Sequence, residues 1–140
     1  MRLLGLDPGE KRIGVAISDP LAVTAQGLET IVYDHPAAAL KRIKAICATY
    51  AVDEIVVGNP LKMDGEKGRA SMLAEDFAAA LRTETGLPVV MVDERLTSLG
   101  VEKMLIEGGM RRSQRRKVRD MLAAVLILET YLARRKAGNS

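Results

Sequence analysis

Three short apolar segments lie within the first 32 residues of this chain of 140, at positions 2–7, 12–18 and 27–32. Each has the length of a β-strand rather than of a helix. A turn that contains Pro8 and Gly9 separates the first two segments. Links this short join antiparallel strands, because a parallel pair needs a crossover of a dozen or more residues. The chain is therefore predicted to begin with an antiparallel meander.

Helical spacing of apolar residues appears only after residue 35, and from there helices and strands alternate. We predict, in chain order, a helix over 36–50, a strand over 54–58, a helix over 69–85, a strand over 89–93, a short helix over 97–106 and a long helix over 113–136. Strands that alternate with helices run parallel and are joined by right-handed crossovers. We therefore expect a single α/β domain over residues 1–140, with a mixed five-stranded sheet flanked by helices.

The composition excludes several classes of protein. Cys47 is the only cysteine, so we expect no internal disulfide, an inert buried thiol and a cytoplasmic protein. His35 is the only histidine, which excludes a zinc cluster or a histidine-paired serine. The apolar run over 121–128 is too short to cross a bilayer, so we expect no membrane partner. Three Tyr, one Phe and no Trp are too few for single-strand binding by base stacking.

Asp7 is the first candidate for chemistry. It ends the first predicted strand and begins the pattern DxGxxxxG. Its side chain would lie at the carboxyl edge of the sheet, where open α/β sheets bind their ligands. An aspartate that merely caps the turn explains the same pattern equally well.

A second group of polar residues, Asp93, Glu94 and Arg95, follows the fifth predicted strand. Two adjacent acids after an apolar strand can simply belong to a polar loop. However, carboxylates that converge from separate strands are the ligands that Mg²⁺ or Mn²⁺ requires. Successive strand residues point to opposite faces, so Asp93 and Glu94 are not expected to serve one site together.

Asp120 lies in the last predicted helix, where a basic segment meets an apolar run. It can be simply the edge of the solvated face. Ala123 and Ala124 follow at helical spacing, and such small residues would let the helix approach the sheet and bring Asp120 to its edge. Six basic residues precede Asp120: Arg111, Arg112, Arg115, Arg116, Lys117 and Arg119. A charge run is usually a solvated face, but here it would place a phosphate backbone beside a candidate metal ligand.

Four segments together resemble the YqgF family, described as Holliday-junction resolvases and as pre-16S rRNA nucleases. They are LGLDPGEKRIGVAISD, VVGNPLKMDGEKG, VDERLTS and RDMLAAVLILETYL. The resemblance covers nearly the whole chain and implies an RNase H-like fold with sheet order 3-2-1-4-5, the second strand antiparallel to the rest. It also implies a metal-dependent nuclease whose acids match Asp7, Glu94 and Asp120. Asn59 and Lys62 depart from the residues more usual in the family, which puts substrate contacts by that loop in question.

The resulting hypothesis is hydrolysis of a phosphodiester in structured nucleic acid, with Mg²⁺ or Mn²⁺ held by Asp7, Glu94 and Asp120. The substrate would be the 5′ end of pre-16S rRNA, a Holliday junction, or both. Partners would include nucleic acid and ribosomal particles, and a second copy if two strands are cut symmetrically. The alternative is a noncatalytic nucleic-acid or ribosome-binding module. The substrate-binding candidates are basic residues: Arg12, Lys62, Arg95, Arg111, Arg112, Arg115, Arg116 and Lys117.

The implied strand order raises one geometric objection to this acid triad. The fourth strand would lie between the strands that carry Asp7 and Glu94, and two strand spacings amount to about 9.6 Å. Glu94 would therefore have to reach inward to meet Asp7.

Overall fold

The computed structural model describes residues 1–62, 64–94 and 112–138. The short helix predicted over 97–106 lies outside these residues. The described elements are β1 Leu3–Pro8, β2 Arg12–Ser18, β3 Ala25–Val32, α1 Pro36–Tyr50, β4 Glu54–Asn59, α2 Arg69–Thr85, β5 Val89–Asp93 and α3 Arg112–Gly138. The predicted elements within the described residues are thus confirmed, with ends that move by one or two residues.

The five strands form one sheet in the order β3-β2-β1-β4-β5. Strand β2 is antiparallel to both β1 and β3, whereas β4 is parallel to β1 and to β5. This is the mixed sheet and the strand order that the family resemblance implies. The carboxyl ends of β1, β4 and β5 consequently meet at one edge of the sheet.

The β2–β3 connection shows why β3 begins earlier than predicted. The carboxylate of Asp19 accepts hydrogen bonds from the backbone N–H groups of Val23 and Thr24, both at 2.7 Å. This turn holds the chain against β2 and lets Ala25 pair with Ser18. Because the turn is closed by a side chain, pairing starts two residues before the apolar pattern becomes visible.

Helices cover both faces of the sheet and enclose two aliphatic cores. One core joins the sheet to α1 and α2 and includes Leu4, Leu6, Ile43 and Leu81. Cys47 belongs to it, and burial raises the pKa of its thiol to about 11, as expected of an inert cysteine. The other core lies under α3 and is formed by Leu3, Ala16, Val56, Val92, Ala124, Ile127, Leu128 and Leu132. No helix in the described residues is long and apolar enough to cross a membrane.

Helix α3 packs closely on the sheet, and glycines face it from neighbouring strands. A Cβ atom on Gly5 of β1 would be 2.9 Å from Cβ of Leu128, and one on Gly27 of β3 would be 2.6 Å from Cγ of Met121. A Cβ on Gly14 of β2 would overlap the carbonyl group of Asp120. Small residues therefore do allow α3 to approach the sheet, as its alanines predicted. Many of these small residues are glycines of the sheet rather than residues of the helix.

Candidate active site

Asp7 is the penultimate residue of β1, and its side chain faces α3. Residues alternate between the faces of a strand, and Leu3 on the same strand belongs to the core under α3. The turn after β1 is closed without Asp7, because the backbone N–H of Gly9 donates to the carbonyl of Arg12 at 2.9 Å. The hydroxyl of Tyr33 also donates to the carbonyl of Gly9 at 2.5 Å. The Asp7 carboxyl is therefore not needed to cap this turn.

The carboxyl groups of Asp7 and Glu94 share a hydrogen bond. Glu94 follows β5 directly, and its backbone N–H donates to the carbonyl of Asn59 at 3.2 Å, which extends the pairing of β5 with β4. Its side chain then crosses β4 above Gly58, which has no side chain to obstruct it. The objection based on strand spacing is thus answered, because Glu94 does reach inward.

Burial sets the protonation of this pair. The pKa of Asp7 is raised to about 6, mainly by burial and in smaller part by the charge of Asp120, while the hydrogen bond from Glu94 and the positive charge of Arg119 lower it. The pKa of Glu94 is raised to about 9, mainly by burial and further by the negative charge of Asp7. At neutral pH, therefore, Asp7 is ionised and Glu94 is protonated and donates to it. The two acids hold one proton between them.

Asp120 reaches the same edge of the sheet from α3. Its backbone rests on Gly14, the β2 residue paired with Asp7. Its carboxylate accepts a hydrogen bond from Nε of Arg12 at 2.8 Å, and the two side chains are 14% and 29% exposed. Asp120 acts on Asp7 through its charge. The structure thus brings the three predicted acids to one edge, as an Asp7–Glu94 pair beside an Arg12–Asp120 pair.

An open cleft of about 240 Å³ lies between the β1–β2 turn and α3. The residues that line it are Asp7, Gly9, Glu10, Lys11, Arg12 and Asp120. The cleft therefore joins two of the predicted acids to two basic residues, one of which, Lys11, was not predicted. A cleft open to solvent and lined by both charges can admit a phosphate group next to carboxylates.

The predicted substrate-binding residues fall into four groups. Arg12 lines the cleft but is paired with Asp120. Arg115, Arg116 and Lys117 lie in the first turns of α3, where the last two are exposed. Lys62 is exposed in the loop after β4, outside the cleft lining. Arg95 and Arg111, and the side chain of Arg112, lie outside what the structure describes.

Asn59, which departs from the residue more usual in the family, has a structural role at the end of β4. Its side-chain oxygen accepts a hydrogen bond from the hydroxyl of Ser71 at 2.5 Å, and Ser71 is fully buried in the first turn of α2. The hydrogen bond ties the end of β4 to α2. Beside it, the Lys62 side chain packs over Gly68, where a Cβ would lie 2.9 Å from its Cε. Asn59 therefore organises the loop.

Two glycines that sequence reasoning did not single out flank Asp7 on its two neighbouring strands. Gly14 makes room for the backbone of Asp120, and Gly58 makes room for the carboxyl of Glu94. Gly14 is also the last residue of the DxGxxxxG pattern, so the sequence did contain a signal for it. Gly58 lies near the end of an apolar strand and belongs to no comparable pattern.

The donor set fits a hard cation. Carboxylate oxygens are the ligands that Mg²⁺ and Mn²⁺ prefer. A divalent cation that took the place of the shared proton would stabilise both carboxylates in their charged form. Among the described residues, no three His, Cys, Asp or Glu side chains are grouped as a metal ion requires. Two predicted ligands, Asp7 and Glu94, are in contact with each other. The third, Asp120, is paired with Arg12.

A family model described as "RuvX: Holliday junction resolvase" matches residues 1–134. The chain belongs to the RuvX family. This confirms the resemblance to the YqgF family, which is the same family under another name. A RuvX relative from Geobacillus kaustophilus, named provisionally as a pre-16S rRNA nuclease, is 52% identical over 94% of this chain and 97% of its own length. One from Desulfitobacterium hafniense with the same name is 43% identical over 100% and 99%.

Solved structures support the same fold for this RuvX chain. RuvC of Thermus thermophilus, in complex with a Holliday junction substrate, has a TM-score of 0.59 and is 17% identical, over 97% of this chain and 96% of that chain. The fowlpox virus Holliday junction resolvase has a TM-score of 0.57 at 14% identity, over 95% and 99%. At these identities the likeness concerns the fold alone, and it confirms the RNase H-like architecture. Family membership makes the chain a nuclease.

Proposed function

We propose that this chain is a metal-dependent endonuclease that hydrolyses phosphodiester bonds at the 5′ end of precursor 16S rRNA. The observation that carries the proposal is the buried, hydrogen-bonded Asp7–Glu94 pair at the edge of a cleft flanked by a basic helix. The names of the curated relatives support this substrate. The description of the family supports a second one, the Holliday junction. Cutting both strands of a junction symmetrically would require two copies of the chain.

Asp7, Glu94 and Asp120 would hold Mg²⁺ or Mn²⁺. When bound, such an ion supplies an activated water and neutralises charge that develops on the phosphate. Asp7 already carries the negative charge at neutral pH, and the Glu94 carboxyl holds the proton next to it. Asp120 adds a second negative charge, which its pairing with Arg12 balances in the free protein.

The basic residues would position the nucleic-acid backbone. Lys11 and Arg12 line the cleft itself, and Arg116 and Lys117 extend the positive surface along the exposed side of α3. A phosphate in the cleft would compete with Asp120 for Arg12, because both are anions that a guanidinium binds. Substrate entry would in this way release Asp120 to join the other two acids.

The expected cellular context follows from this substrate. Precursor 16S rRNA is found with ribosomal particles in the cytoplasm, and the single cysteine is buried and inert, which suits a reducing compartment. The chain would therefore meet its substrate as part of an assembling ribosomal particle.

The test is cleavage of a precursor 16S rRNA fragment and of a four-way DNA junction, each with Mg²⁺ and with Mn²⁺. Asp7→Asn keeps the size of the side chain but removes its charge, and should reduce cleavage to background. Asp76→Asn is the matched control, because Asp76 is exposed on α2, on the other side of the sheet. Binding of either nucleic acid by the unmodified protein without any cleavage would favour the noncatalytic module instead.

A further inference from the structure

We propose that Gly58 is a positioning residue for hydrolysis, because the lack of a side chain at this point of β4 is what allows the Glu94 carboxyl to cross the strand and reach Asp7. The effect on hydrolysis rests on the proposed function. The geometric part does not. Gly58 would thus act through Glu94, without contact to substrate.

The position of Gly58 between the two acids is fixed by the sheet. Strand β4 lies between β1 and β5, and Gly58 pairs with Val92, two residues before Glu94. Val56 and Val92 both belong to the core under α3. By strand alternation, Gly58 and Glu94 therefore face the same helix. The Glu94 side chain passes over Gly58 on its way to Asp7.

Even a methyl group at position 58 would collide with the reaching carboxyl. A Cβ built there lies 2.6 Å from Oε2 and 3.2 Å from Cδ of Glu94, and real Cβ atoms essentially never lie under 3.0 Å from another heavy atom. The backbone of Glu94 has little freedom to yield, because its N–H is bonded to the carbonyl of Asn59. Rotation of the side chain is the remaining response, and it carries the carboxyl away from β4 and from Asp7.

The same methyl group would also disturb the core, and this second effect can be separated from the first. A Cβ at position 58 would overlap Cδ1 of Ile127 on α3. Ile127→Val removes that atom and nothing else. In the double variant Gly58→Ala/Ile127→Val the helix no longer meets the added methyl group, whereas the Glu94 carboxyl still does. Only the double variant therefore isolates the positioning effect.

The experiment compares the wild type, Ile127→Val, Gly58→Ala and the double variant. Thermal unfolding reports on packing through the melting temperature. Electron paramagnetic resonance measures the affinity of the acid pair for Mn²⁺, and a cleavage assay measures the rate of hydrolysis. We expect Gly58→Ala to lower the melting temperature by roughly 5 °C and the double variant to recover most of that loss. Mn²⁺ affinity and cleavage should fall by about 10- to 100-fold in both Gly58→Ala variants and stay close to wild type in Ile127→Val.

Wild-type Mn²⁺ affinity and cleavage in the double variant would overturn the proposal, because Gly58 would then serve packing alone. A crystal structure of the double variant decides the geometric part without reference to activity. A Glu94 carboxyl that has left Asp7 supports the proposal, and one that still bonds to Asp7 contradicts it. If the wild type neither binds Mn²⁺ nor cleaves, the proposed function fails, and this structure still determines whether Gly58 positions Glu94.

Discussion

The Glu94 carboxyl donates a hydrogen bond to Asp7 although a whole strand, β4, separates the strands that lead to the two residues. The two acids that the sheet supplies are therefore already in contact in the free protein. What differs between the three acids is their partner, since Asp120 is held by Arg12 at 2.8 Å. We therefore expect the pair and the third acid to respond differently to pH, metal and nucleic acid.

Stability without metal should fall as the pH rises. The pKa of Glu94 is about 9 in the folded chain and 4.5 ordinarily, and that of Asp7 is about 6 against 3.8. The folded chain thus keeps protons that the unfolded chain has already released, so the free energy of unfolding decreases between about pH 4 and pH 9. Urea unfolding across this range measures the slope.

Glu94→Gln is the matched control for the pH dependence, because glutamine can still donate to Asp7 but does not titrate. Its unfolding free energy should decline less steeply above about pH 6 than that of the wild type. Equal slopes in the two proteins would show that this acid pair does not hold the proton.

Binding of Mn²⁺ or Mg²⁺ should release a proton near neutral pH. A carboxyl must lose its proton to become a ligand, and Glu94 still holds one at pH 7. Calorimetric titrations in buffers of different ionisation enthalpy measure the number released, which we expect to be about one per site. In Glu94→Gln this release should disappear. Release of the same size in that variant would place the proton elsewhere.

Neutralising the exposed basic residues of α3 should weaken nucleic-acid binding and its dependence on salt. The variant Arg116→Gln/Lys117→Gln removes two positive charges from the exposed surface of α3. If both contact phosphates, the slope of log K against log salt should become shallower by about 1.4 to 1.8. Fluorescence anisotropy at several salt concentrations measures it.

The matched control removes two charges from the opposite side of the sheet. Lys41 and Lys44 are exposed on α1, so Lys41→Gln/Lys44→Gln lowers the net charge equally but far from the cleft. We expect its salt slope to stay close to wild type. Identical changes in the two double variants would mean that net charge, rather than the α3 surface, attracts the nucleic acid.

Gly14→Ala should be among the most damaging single-methyl changes in the chain. The added Cβ would overlap the backbone carbonyl of Asp120, which cannot rotate away as a side chain can. We expect a loss of about 1 to 3 kcal/mol in the free energy of unfolding, typical of overpacking, together with displaced α3. Gly138→Ala, with open space around it, should change stability by less than about 0.5 kcal/mol. Similar losses in both would refute the close packing of α3 on β2.

Much of this molecule was accessible from sequence because its signals are local. The strand over Arg12–Ser18 and the helices over Pro36–Tyr50 and Arg69–Thr85 follow from periodicity, and their ends were predicted to the residue. Asp7 lies near the end of β1 and Glu94 directly follows β5, so their common edge could be inferred once the strands were known to be parallel. Composition and periodicity alone did not give the strand order, which came from the family resemblance.

The remainder depends on contacts between distant residues. Arg12 and Asp120 are 108 positions apart in the sequence, and no local pattern predicts their pairing. The objection that Asp7 and Glu94 lie too far apart measured the distance between strands, and omitted both the length of a glutamate and the missing side chain of Gly58. The role of a glycine as a gap becomes visible only when the residues on either side of it are known.

The most direct test of the account is a crystal structure of the protein soaked in Mn²⁺ at pH 8, with anomalous scattering used to locate the ion. We predict a peak between the carboxyl groups of Asp7 and Glu94, with an oxygen of each bound to it and their mutual hydrogen bond gone. Two carboxyls that remain bonded to each other at saturating Mn²⁺, with no peak beside them, would contradict the claim that this pair is the metal site of the nuclease.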